Sequence, residues 1–108
     1  MKYLIVSLLA IASLSVAQGK QTFTGTITDE MCAQTGHAQM RMGPTDAECT
    51  IACVIAHGAR YVLSDGTRVY ILSDQKTPEQ FAARNVNVVG TLDARTKTIQ
   101  VESITAAD

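Results

Sequence analysis

Three cysteines and both histidines of the chain fall in one stretch, at Cys32, His37, Cys49, Cys53 and His57, with Met31, Met40 and Met42 among them. Thiolates and imidazoles gathered from at least two segments are the donor set of a tetrahedral zinc site or a soft copper site. Cys49 and Cys53 stand at i and i+4, so on a helix they project from one face about one turn apart, close enough to share an ion. Cys32 and His37, from the segment before, would complete a Cys3His set. His57, one further turn along, could replace one of these ligands. Met40 and Met42 would add thioethers if the ion were copper. The pattern has one Cys-x3-Cys pair and no Cys-x2-Cys knuckle, and each accessory residue also fits a plainer role. His57 suits the carbonyl end of a helix, and Met40 and Met42 suit loop packing.

The same sulfurs support two other chemistries. A disulfide from Cys32 to Cys49 or Cys53 would pin a long loop onto a helix and add about 3 kcal/mol to a small domain, leaving one spare thiol. A Cys49–Cys53 bridge is disfavoured by side-chain directions within a regular helix. Thiol–disulfide exchange would use Cys49, in the first turn of a helix, where the macrodipole favours a thiolate. The chain lacks both the Cys-x-x-Cys of thiol oxidoreductases and the Cys-x-x-Cys-His of covalent haem attachment. Nucleophile-elbow, phosphate-loop and His-Glu-x-x-His motifs are missing too. Asp29 and Glu30 are adjacent, so on a strand they point to opposite faces and cannot act as a carboxylate pair. Asp65, Asp74 and Asp93 sit at turns, where local backbone hydrogen bonds account for them. Tyr61 and Tyr70, on neighbouring strands, suit either a ligand groove or cross-strand packing. These observations point to a binding or interaction domain, not an enzyme, with zinc or copper as candidate ions. The rival reading is a disulfide-stapled, metal-free domain that binds a small ligand or an envelope protein.

Residues 1–17 carry a lysine near the start, an apolar run from Leu4 to Leu14 and a Ser-Val-Ala ending. That is the layout of a secretory signal peptide with cleavage after Ala17. The run is well short of the ~20 residues that span a bilayer, so stable membrane insertion is not expected after cleavage. The expected location is periplasmic or extracellular, where disulfides are permitted. Nine Lys and Arg against ten Asp and Glu give a formal charge of −1. The basic residues are scattered, whereas a nucleic-acid binder needs a positive patch, so nucleic acid is excluded as a partner. Residues 18–108 suffice for one small domain with one core.

The elements that must position the ligands follow from local pattern. Gln21–Thr28 alternates, with Phe23, Gly25 and Ile27 on one face, and predicts a half-buried strand. Arg60–Ser64 and Arg68–Leu72 flank Asp65-Gly66, a hairpin signal. Val86–Leu92 and Thr98–Ile104 make a second hairpin, with Gly90 marking a bulge or bend. Thr77-Pro78-Glu79-Gln80 opens a short helix through Arg84, with Thr77 as its cap. Thr45-x-x-Glu48 caps a helix from Asp46 to His57, and Gly58 ends it. That helix has two apolar faces, one with Cys49, Cys53 and His57 and the other with Ile51 and Ile55. One face is expected on the sheet and the other on the Cys32–Met42 loop. The result is a mainly β domain: a small five-stranded OB-like barrel with a helical insertion after the first strand and a short helix between strands 3 and 4.

Gly25-Thr-Ile-Thr-Asp29-x-Met31-Cys32, His37, Cys49-Thr-x-x-Cys53-Val, Ala59-Arg-Tyr-Val-Leu and Gly90-Thr-Leu-Asp together resemble an uncharacterised family of small exported bacterial proteins, described only as a domain of unknown function. The resemblance covers nearly all of residues 18–108, and its most specific part is the Met-Cys…His…Cys-x3-Cys string. It implies an exported, single β-barrel-like domain and assigns no activity.

Overall fold

The computed structural model describes residues 19–107, and the expected signal segment lies outside them. Five strands and one α-helix form the domain: β1 Gln21–Asp29, α1 Asp46–His57, β2 Tyr61–Ser64, β3 Val69–Leu72, β4 Asn85–Asp93 and β5 Thr98–Ala106. All five strands agree with the ranges expected from the sequence to within two residues at either end.

Pairing is antiparallel between neighbours except for β3 and β5, which run parallel. The sheet order is β1-β2-β3-β5-β4, and it closes on itself because β1 pairs with β2 through one half and with β4 through the other. Thr26 is the changeover, opposite Ser64 on one side and Asn85 on the other. On the solvent side, the Thr24 and Thr26 hydroxyls donate to the Asn87 and Asn85 side-chain oxygens at 2.6 and 2.8 Å. Inward-facing residues fill the closed sheet: Ile27, Leu63, Leu72, Val86, Val88 and Ile99 are all essentially inaccessible. This is the burial expected for alternate positions on curved strands.

Gly90 makes the expected irregularity. The β4–β5 register shifts between Val89 and Gly90. A β-carbon at Gly90 would sit 2.2 Å from the Gln100 carbonyl oxygen, so the two strands meet there more closely than any side chain permits. Such bulges bend strands enough to close a small sheet. The β2–β3 turn is held by the Asp65 carboxylate, which accepts from the backbone N–H of Thr67 and Arg68 at 2.8 and 2.7 Å.

Two expectations need correction. The element between β3 and β4 is a 3₁₀ turn, Thr77–Phe81, and not a helix through Arg84. Its N–H groups are capped from outside: Asp74 accepts from the Lys76 and Thr77 amides at 2.9 and 3.0 Å, and Thr77 is not the cap. Ala82 turns extended and Ala83 adopts a positive φ of 65°, so the chain leaves the helical region to feed β4 after little more than one turn. The second correction concerns α1. Its Ile face is not the one packed on the sheet: Ile55 is 75% exposed and Ile51 is only partly covered. Small side chains form the packed face instead, with Cys49, Thr50 and Cys53 buried.

Candidate metal centre

The site is built where β1 ends. Asp29 is the last residue of that strand and is completely buried. One of its carboxylate oxygens, Oδ2, accepts from the backbone N–H of Met31 and of Cys32, both at 3.1 Å. The Asp29 carbonyl accepts from the Cys32 and Ala33 amides at 3.2 and 3.0 Å, and the Cys32 carbonyl accepts from Gly36 at 2.8 Å. These bonds wind the chain into a turn that holds Cys32 inward. The neighbouring Glu30 points the other way, toward solvent, where it forms a two-pronged ion pair with Arg60 at 3.0–3.2 Å. Glu30 also accepts from the Arg60 backbone amide at 2.9 Å. This clamp fixes the start of the loop against the chain just beyond α1, and the Arg60 hydrogen bonds hold the Glu30 carboxyl below its ordinary range.

Helix α1 forms as its sequence dictates. Thr45 Oγ1 accepts from the Glu48 amide at 3.1 Å, Asp46 and Glu48 sit in the first turn, and Gly58 closes the helix at φ 68°. The loop before it passes so close that a β-carbon on Gly43 would lie 2.9 Å from the Glu48 β-carbon. This approach lets the loop backbone reach Cys49: its Sγ accepts from the Met42 amide at 3.3 Å and donates to the Met40 carbonyl at 3.6 Å. Cys32, Cys49, Cys53 and Ala59 form a second buried cluster, with Met42 and Val54 packed on it. Val54 also touches the main core, so the cluster is continuous with the interior of the sheet.

Two groups of donor atoms meet here. The ligand atoms of Cys32, His37 and Cys49 lie within 4.8 Å of one another, and so do those of Asp29, Cys32 and Cys53. Zinc–sulfur bonds of about 2.3 Å place tetrahedral sulfurs roughly 3.8 Å apart, so a contraction of about 1 Å would engage either group. Cys32 belongs to both groups, while Cys49 and Cys53 belong to different ones. His37 begins a 3₁₀ turn, His37–Gln39, at the rim of the cluster. Its Nδ1 is buried and has no hydrogen-bond partner among the described residues.

Four residues singled out from the sequence thus converge: Cys32, His37, Cys49 and Cys53. The expectation that Cys49 and Cys53 themselves form the sharing pair is modified, because each meets Cys32 instead. His57 is exposed in the last turn of α1, outside both groups. Met40 is 45% exposed and contributes its carbonyl, not its side chain, to Cys49. Met42 packs against the cluster. All three cysteines are free thiols, with neither the Cys32–Cys49 nor the Cys32–Cys53 pair bonded. Sequence reasoning missed Asp29. The signal was present, because the inward alternation Phe23, Gly25, Ile27 continues to position 29.

The electrostatics favour protonated thiols at Cys32 and Cys53. Burial, and then the charge of Asp29, pushes the Cys32 thiol up to about 12. Burial foremost, with Asp29 behind it, also raises Cys53. Thiols of this kind are poor nucleophiles, whereas a bound cation stabilises the thiolates and displaces their protons.

A separate concavity of about 850 Å³ lies on the sheet, lined by Phe23, Tyr70, Arg68, Lys97 and neighbours. Phe23 and Tyr70 meet there with ring centroids 5.4 Å apart. Tyr61 faces the core instead. No helix among the described residues is long and apolar enough to cross a membrane. Comparison with protein-family models, with curated proteins and with solved structures finds no match to this chain.

Proposed function

We propose that this chain is an exported metal-binding domain that holds zinc or copper at the cell envelope, through Cys32, His37, Cys49 and Cys53. One observation carries the reading: His37, whose Nδ1 is buried and unpartnered among the described residues, brings a ring nitrogen within 4.8 Å of two buried thiols from separate segments. An imidazole nitrogen and two sulfurs brought together from separate segments are a donor set that one ion can share. The architecture is read as an OB-like barrel, supported by the strand order β1-β2-β3-β5-β4 and by the parallel β3–β5 pair. The site lies in the segment between β1 and β2, outside the barrel interior. Export and the kinship with small exported bacterial proteins of unknown function rest on the sequence of residues 1–17 and on the Met-Cys…His…Cys-x3-Cys string. We read the protein as a binder and not as an enzyme.

Native mass spectrometry of the reduced protein, beside its denatured mass, tests the metal reading. One zinc or copper in the native mass, with no hydrogens missing from the denatured mass, is the expected result. His37→Ala should lower ion retention without changing the thiol count or the fold. A denatured mass short by two hydrogens and a native mass free of any ion would favour the stapled alternative. In that reading the concavity beside Phe23 and Tyr70 is the candidate seat of a small ligand.

A further inference from the structure

Asp29 is an unusual residue to find at the base of a thiol cluster. It is fully buried, and it forms no ion pair among the described residues. Arg60, paired with the neighbouring Glu30, is not available to it. Two backbone amides satisfy one carboxylate oxygen, but Oδ1 has no hydrogen-bond partner among the described residues and is sealed from solvent. A buried carboxylate oxygen without a donor is strongly penalised unless a proton or a cation meets it. The groups beside the carboxylate are the Cys32 and Cys53 thiols, weak hydrogen-bond donors to it, whose sulfurs lie with one of its oxygens inside a 4.8 Å cluster. Two thiols cannot supply the positive charge that the site lacks.

We propose that Asp29 is a direct metal ligand, acting with Cys32 and Cys53, and that it makes the site select zinc(II) over copper(I). The inference rests on the metal-binding reading above and refines it. Zinc accepts thiolate, imidazole and carboxylate together at similar bond lengths. Copper(I) is soft, prefers thiolate and thioether, and gains little from a carboxylate oxygen. Of the two methionines that would favour copper, Met40 is 45% exposed and offers Cys49 its carbonyl, while Met42 packs on the cluster. A divalent ion also answers the charge balance, since a carboxylate and two thiolates in one buried cluster repel one another without it.

The test uses the full chain in reduced form, with zinc(II) and copper(I) affinities measured by competition against chromogenic chelators. Asp29→Asn keeps an oxygen for the Met31 and Cys32 amides and replaces the other with a group that cannot bind a cation as an anion. Zinc affinity is expected to fall at least tenfold, with copper(I) affinity changing less than threefold. Cobalt(II) substitution supplies a readout that a merely structural role would not move. In Asp29→Asn, the ligand-field bands should shift while the thiolate-to-cobalt charge-transfer intensity is kept. Unchanged zinc affinity and unchanged bands in a folded variant would overturn the proposal, as would a wild-type preference for copper(I), while leaving the metal site itself standing. Wild-type protein that binds neither ion would overturn the metal reading and this inference with it. If Asp29→Asn fails to fold, zinc-edge X-ray absorption of His37→Ala decides. A light-atom shell near 2.0 Å without imidazole outer-shell scattering supports Asp29, and a sulfur-only shell refutes it.

Discussion

Cys32 is the residue on which both donor groups depend. Its sulfur is common to the His37–Cys49 group and to the Asp29–Cys53 group, and its position is set by the turn wound around Asp29. Removing it should therefore do more than removing either helical cysteine. Cys32→Ser is expected to lower zinc affinity on the order of 100-fold or more, with smaller losses for Cys49→Ser and Cys53→Ser, by chelator competition on the reduced proteins. His57→Ala should leave affinity unchanged, because that side chain is exposed and outside both groups. Equal losses from all three cysteine variants would mean that the three sulfurs hold one ion alike and that Cys32 has no special place.

At the scale of elements, the site depends on α1 being present and on the sheet being closed beneath it. Thr45→Ala removes the hydroxyl that caps the Glu48 amide, and such caps are worth about 1 kcal/mol. A loss of that size should appear as a fall of roughly 4–8 °C in the thermal midpoint. Gly90→Ala is expected to cost more, about 2–3 kcal/mol, because its β-carbon would be driven into the Gln100 carbonyl and the bulge would have to open. By contrast, Ile55→Lys should change stability by no more than about 0.5 kcal/mol, since the helix leaves that face to solvent. Circular dichroism melts of the three variants order them.

The whole molecule is small, so ion binding and folding are strongly linked. An ion that binds only the folded state adds about 2.7 kcal/mol when present at one hundred times its dissociation constant. Zinc should therefore raise the melting temperature by more than about 10 °C, and a chelator should reverse the rise. A stability change with pH comes from elsewhere. The Thr77 hydroxyl and then the Thr77 amide hold the Asp74 carboxyl below its ordinary value. A carboxylate depressed in the folded state adds stability above its unfolded value, near 3.9, and that stability is lost as pH falls through the folded value. Asp74→Ala should thus melt lower than wild type at pH 7, with the gap closing as the pH is brought down toward about 2.

Much of this architecture was legible locally. Two-residue alternation marked β1, β-rich runs about their turns marked the other four strands, Asp65-Gly66 marked the first hairpin, Gly90 marked the bulge, and Thr45 and Gly58 bounded α1, because each of these features is decided by a few bonds between near neighbours. The short element after Thr77 was misread because its cap, Asp74, lies outside the Thr-x-x-Gln pattern and the chain must turn early into β4. The sequence by itself also determined which side chains could form the cluster, by concentrating every cysteine and histidine between Cys32 and His57. Only the tertiary structure decided how they meet. Helix α1 has two apolar faces, and periodicity cannot rank them. The face of small residues won because it lets the helix approach both the loop and the end of β1, which brings Cys49 and Cys53 separately to Cys32. The same approach seals Asp29 away from water, so that a carboxyl with an ordinary place at the end of a strand is buried beside two thiols.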